Sequence, residues 1–125
     1  MTRESTEYDL EERLIDFAVR VIRVAESLPN SRVGSHIAGQ LTRSGTSPAP
    51  NYGEAKSAES RSDFIHKMNI SLKELRETRI WLLMIMRADL KKPLLIEPLL
   101  EENNELISIF VKSIKTARKN LGRIS

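Results

Sequence analysis

Cysteine is absent from this chain of 125 residues. That excludes a disulfide framework and a thiolate metal site. Aromatic residues are scarce, at 5%. No β-branched run alternates with polar residues, and no Asn-Gly or Asp-Gly hairpin occurs, so strand signals are missing. No apolar run is long enough to cross a bilayer. Met1 leads into polar, acidic sequence rather than a signal peptide, so a cytoplasmic protein is expected.

What is present suits helices. Charged residues make up 30% and the apolar class 40%, a folded rather than a disordered mixture. Leu and Ile dominate the apolar side chains, which favours helix packing over a β-sandwich. The length fits one domain over 1–125 with one core. Net charge is +3, but it is unevenly placed. Residues 1–62 hold eight basic and nine acidic side chains, and residues 63–125 hold twelve and eight. From Lys112 onward there are five basic residues, Lys112, Lys115, Arg118, Lys119 and Arg123, and no acid.

The stretch from Gln40 to Thr78 organises the chain. Its first part is small and polar and is interrupted by Pro48 and Pro50. Its second part is a strong amphipathic helix, entered through the N-cap-rich run Ser57–Asp63. This reads as two antiparallel helices and their corner. Upstream, Thr6 can cap a helix over about 7–28, with Asp9 three residues on. Leu10, Leu14, Phe17, Val21, Val24 and Leu28 follow steps of four and three along one face. Ile15, Val19 and Ile22 form a second stripe, wider than one bundle core requires. Pro29-Asn30-Ser31 stops this helix and caps the next.

Helix 2 is expected over 32–58, with Val33, Ile37, Leu41 and Ser44 on one face. Pro48 and Pro50 each delete a helical N–H bond, which predicts a kink or short break near 47–50. The small residues there would let a neighbouring helix approach closely. Helix 3 is expected over 61–89, with Phe64, Met68, Leu72, Leu75, Leu82 and Met86 inward and Arg79 a polar intruder. Ile80–Met86 is apolar almost all round, which fits a subunit contact or a well-buried central helix. Helix 4 is expected over 98–121, with Pro98 in its first turn and Gly122 at its end. Its seam is Leu100, Asn103, Ile107, Phe110, Ile114, Ala117 and Leu121. Asn103 either fixes register on that seam or is solvated at a bundle end. Four helices with short connections give an all-α, antiparallel up-and-down four-helix bundle.

Catalytic constellations are sought in vain. Asp63 and His66 lie three apart on one helix, but a di-iron bundle needs two Glu-x-x-His pairs and two further Glu. The only other histidine, His36, has no carboxylate three or four residues away. Gly34 and Gly39 have the glycine spacing of a phosphate loop, but Gln40-Leu41 follows where Lys-Ser or Lys-Thr is needed. Close packing of helix 2 explains those glycines better. Glu54 and Glu59 read as a solvated face rather than a carboxylate pair. No cofactor, metal site or small-molecule substrate is indicated.

The basic side chains remain. Lys67, Lys73, Arg76, Arg79 and Arg87 lie along helix 3, diluted by Glu74 and Glu77. Lys112, Lys115, Arg118 and Lys119 lie along helix 4. Either a salt-bridged, solvated face or a phosphate-binding surface fits this pattern, and a helix dipole would also favour the terminal cations. A nucleic-acid patch would consist of Lys112, Lys115, Arg118 and Lys119, then Arg76 and Arg79.

Several runs together resemble the four-helix-bundle proteins encoded within intervening sequences of bacterial 23S ribosomal RNA genes, also labelled S23 ribosomal proteins. They are Gln40–Ser44; Ser47 with Asn51 and Glu54; Ser57–Lys67; Ser71–Thr78; and Glu105–Ala117. The likeness extends from about Leu14 to Asn120. Ala55 departs from it, since the family pattern Asn-x-x-Glu-Gly has glycine there, and Pro48 and Pro50 strain a usually continuous helix. The resemblance implies an antiparallel four-helix bundle without an established enzymatic activity. It also implies kinship with the accessory variability determinant protein of diversity-generating retroelements, a barrel-like homopentamer that works with a reverse transcriptase and nucleic acid. The expectation is a non-enzymatic homo-oligomer, a pentamer by resemblance, that offers basic surface to RNA or DNA. The alternative is a structural or protein-partner adaptor with no nucleic-acid role.

Overall fold

A computed structural model describes residues 3–124, and side chains over 9–122. It contains α1 (Arg3–Glu26), α2 (Arg32–Thr46), α3 (Pro48–Lys56), α4 (Arg61–Arg87) and α5 (Pro93–Ile124). No strand occurs among the described residues. Because α2 and α3 succeed one another in a single pillar, this is the expected antiparallel four-helix bundle. The α2–α3 pillar stands between α1 and α4, and α5 packs on α4 and closes onto α1. Helices α1 and α4 occupy the diagonal and make no close backbone approach.

Local chemistry sets the ends. Ser31 Oγ accepts from Gly34 N at 3.0 Å, and Ser60 Oγ accepts from Asp63 N at 3.0 Å, satisfying donors that open α2 and α4. Gly34 is required because a Cβ there would run into the Pro29 carbonyl. After α4, Asp89 takes a left-handed φ of 55° and Leu90 N donates to Ile85 O at 3.0 Å, which closes the last turn in the manner of a Schellman motif. The first helix starts at Arg3, so Thr6 falls inside it rather than at its cap; the side chain of Thr6 lies outside those described, as does that of Arg123. Helices 1, 2 and 3 of the sequence reading each end two residues early, at Glu26, Lys56 and Arg87.

Helix 2 breaks at Ser47. Pro48 and Pro50 withhold the amide protons that would bond the Ser44 and Thr46 carbonyls. Asn51 bridges the gap: its backbone N donates to Ser47 O at 3.2 Å, and its Nδ2 donates to the same oxygen at 3.0 Å and to Ser47 Oγ at 2.9 Å. From α4, Ser71 Oγ donates to Pro48 O at 3.2 Å, and the Thr78 and Ser44 hydroxyls share a bond of 2.9 Å.

The core is a ladder of Leu14, Phe17, Val21, Leu41, Met68, Leu72, Leu75, Leu82, Leu106, Phe110 and Ile114. Four expectations shift by one residue or one turn. Thr78, not Arg79, takes the polar place on the α4 seam, because the buried positions step 75, 78, 82, 85. Phe64 and Met86 are therefore only half-buried. Val33 is exposed while Gly34 is buried. The last helix begins at Pro93, not Pro98, so its seam gains Ile96 and Leu99, and Leu121 is exposed. Asn103 is fully buried on that seam; its Nδ2 donates to Leu75 O at 3.2 Å, and its Oδ1 has no partner among the described residues.

Ion pairs tie neighbouring pillars. Arg13 holds Glu102 through Nε at 3.0 Å and Nη2 at 2.7 Å, and Glu105 at 3.1 Å. Arg43 reaches Glu74 at 2.9 Å and also Glu77; Lys56 meets Glu11 at 2.9 Å, and Lys67 meets Glu54 at 3.5 Å. The Arg13 hydrogen bond holds the Glu102 carboxyl below its ordinary pKa of 4.5, against a smaller opposing effect of burial. A carboxyl depressed in the folded state adds stability above its ordinary value and loses it as pH falls through the depressed one. Glu102→Gln should therefore lower the unfolding free energy read from denaturant titration at about pH 7, by about 1 kcal/mol for a half-buried pair. The gap to wild type should close at about pH 2.

Candidate nucleic-acid interface

All six side chains singled out from the sequence are exposed: Lys112, Lys115, Arg118 and Lys119 on α5, and Arg76 and Arg79 on α4. None of the six forms an ion pair among the described residues. The sequence suggested that Glu74 and Glu77 would dilute the α4 group. Both acids instead turn towards α2, where Arg43 takes them. Glu77 also accepts from Trp81 Nε1 at 3.0 Å, and the Trp81 ring stands edge-on to His36 with centroids 6.1 Å apart. Trp81 is thus half-polar in its surroundings rather than wholly apolar.

The six cations form two groups. Asn103 lies against Leu75, so antiparallel packing sets Lys112–Lys119 level with the first half of α4. Arg76 and Arg79 lie further along the bundle by roughly 15–30 Å at helical rise. There they border a shallow groove between α4 and α5 with Asn104, Ile107 and Ser108. Lys112 borders a different groove, on the opposite flank of α5, together with Arg61 and Lys56. Lys115, Arg118 and Lys119 line neither and point into open solvent. Arg61 was missed because it stands alone in sequence before an amphipathic run. The short α4–α5 connection was the available clue, since it brings the start of α4 beside the end of α5.

Other candidates are dispersed. Asp63 and His66 are both exposed, and no three His, Asp or Glu side chains gather into a metal-holding group among the described residues. Glu54 faces Lys67, not Glu59. Gly39 has open space around it, so only Gly34 of the two loop-like glycines packs closely. No helix is long and apolar enough to cross a membrane among the described residues.

Residues 6–112 match the family described as 23S rRNA-intervening sequence protein. Lys112 ends that match, so Lys115, Arg118 and Lys119 lie beyond it. No curated protein matches the chain. A crystal structure from Bacteroides thetaiotaomicron, described as a protein with unknown function from the S23 ribosomal protein family, is similar to it. The two are 34% identical with a TM-score of 0.80, over 85% of this chain and 98% of the other.

Proposed function

The chain belongs to the 23S rRNA-intervening sequence protein family, and from that premise we propose a non-enzymatic bundle that self-associates and binds RNA or DNA through its basic surface. The observation that carries the nucleic-acid part is the set of six exposed cations without acid partners among the described residues, while the acids interleaved with them on α4 are bound to Arg43. Unpaired surface cations release counterions from a phosphate backbone when they meet it. Titration of labelled RNA at several salt concentrations tests this. Affinity that falls steeply as salt rises is expected; no binding at low salt, or salt-independent binding, overturns it.

Self-association rests on apolar side chains that remain outside the core. Ile15, Val19 and Ile22 line the outer face of α1, and Ile80 and Met84 that of α4, each about two-fifths exposed. Because α1 and α4 are diagonal, these are two different faces turned in different directions. Unlike faces pair head to tail, the arrangement that closes into rings; the family resemblance favours five copies. Light scattering should give a multiple of 14.3 kDa. Ile15→Glu with Ile22→Glu should reduce the particle to one copy, and a wild-type mass of 14.3 kDa at high concentration would contradict the reading. The rival adaptor reading draws on Leu94 and Leu95, 79% and 57% exposed at the start of α5. Retrieval of one specific protein, with RNA and DNA both failing to bind, would favour it.

A further inference from the structure

A groove of about 610 Å³ opens between the second half of α5, the first turn of α4 and the end of α3. Its floor carries aromatic surface from Phe64 and Tyr52, and its rim carries Lys56, Arg61 and Lys112. No acid is among its lining residues as described. The Lys56 ammonium is already engaged, 2.9 Å from Glu11 and 5.2 Å above the Tyr52 ring. Arg61 and Lys112 have no ion-pair partner among the described residues and leave the rim positive. Tyr52 is nearly covered and meets Phe110 edge-on, so the half-buried Phe64 supplies the accessible ring.

A flat apolar floor beneath two cations suits an anion with an aromatic body. We propose that the groove takes one unpaired nucleotide of a single strand, its base on Phe64 and its phosphate within reach of Arg61 and Lys112. The proposal rests on the nucleic-acid reading above and narrows it. A paired base is already stacked and cannot enter, so a duplex engages only the rim and the outer face of α5. Stacking of a base on an aromatic side chain tolerates any sequence, so the expected preference is for strandedness rather than for a base.

The test compares a single-stranded RNA of about 12 nucleotides with its duplex, by fluorescence anisotropy at one low salt concentration. Wild type should bind the single strand roughly tenfold more tightly. Phe64→Leu removes the ring but keeps apolar volume, and Ser113→Leu fills the groove from α5 without adding a ring, where Ser113 lines it. Each should abolish the preference while leaving duplex affinity and helical circular dichroism unchanged. Duplex binding without a single-strand preference in wild type, or retention of the preference by either variant, overturns the groove and leaves the surface reading standing. No binding of either RNA at low salt overturns both.

Discussion

Lys115→Glu with Lys119→Glu should weaken RNA binding on the order of 50-fold at about 0.1 M salt, since each phosphate contact contributes a little under one power of the salt concentration. The slope of log affinity against log salt should drop by about two. Both side chains are exposed and unpaired among the described residues, so the fold should tolerate their reversal, within about 1 kcal/mol. The measurement also separates two accounts of the same charges. The dipole account places its benefit in the last turn of a helix. Helix α5 runs to Ile124, so Lys112 and Lys115 stand more than two turns from its end and gain little from that source. If the cations serve only the dipole, the double variant should lose melting temperature and keep its RNA affinity. The phosphate account expects the reverse.

Gly45→Ala should destabilise the fold by about 2 kcal/mol, as overpacked cores do, and lower the melting temperature by roughly 10 °C. The sign is unusual, because alanine is the better helix former by about 1 kcal/mol. Geometry reverses it. A Cβ at Gly45 would lie 2.5 and 2.7 Å from the two γ-methyls of Val21 and 3.0 Å from its Cβ. A β-branched side chain in a helix has one strongly preferred rotamer, and with both methyls and the Cβ in the way no rotation clears the clash. Val21 is itself fully buried on α1. The control lies in the same pillar: Gly39 and Gly53 have nothing within 4 Å, so their alanine variants should gain up to about 1 kcal/mol. In a Val21→Ala background the γ-methyls are gone and only the Cβ contact at 3.0 Å remains, so the Gly45→Ala penalty should shrink, and thermal denaturation of the four combinations reads that coupling directly. A Gly45→Ala protein as stable as wild type would mean that α1 and α2 move apart more easily than their packing indicates.

The bundle was legible in the sequence because hydrocarbon side chains recur at helical intervals in each pillar, and the discontinuity was legible because Pro48 and Pro50 leave no alternative. The differences have two causes: periodicity gives a phase only to within a residue, and proline marks a helix start in more than one place. Pro98 suits the start of helix 4 in the sequence, yet Pro93 holds that place and Pro98 sits one turn inside. The bond that Pro98 forgoes would have ended on the carbonyl of Leu94, an exposed residue in the first turn where solvent substitutes at little cost. On α4 a step of four from Leu75 leads to Arg79, whereas the seam takes three, so Thr78 is buried and Arg79 is exposed. The site was half legible. The cations of α5 share one helix and announce themselves, whereas the meeting of Arg61 with Lys112 is made by tertiary packing. The destination of Glu74 and Glu77 was hidden for the same reason, since Arg43 comes from another helix.

The break at Ser47 has a consequence for how the molecule opens. Helix α3 is only 9 residues long, well short of what holds together unaided in water. It persists because α4 and α1 grip it and because Asn51 splints it to the residue before. Its unravelling would leave the hydrogen bonds within α2 intact but would uncover Tyr52 and Ala55, which are buried in the core, so the surface exposed sets the cost of any local opening. Tyr52 and Lys56 both belong to that segment, and the cleft beside Lys112 would widen and narrow with it.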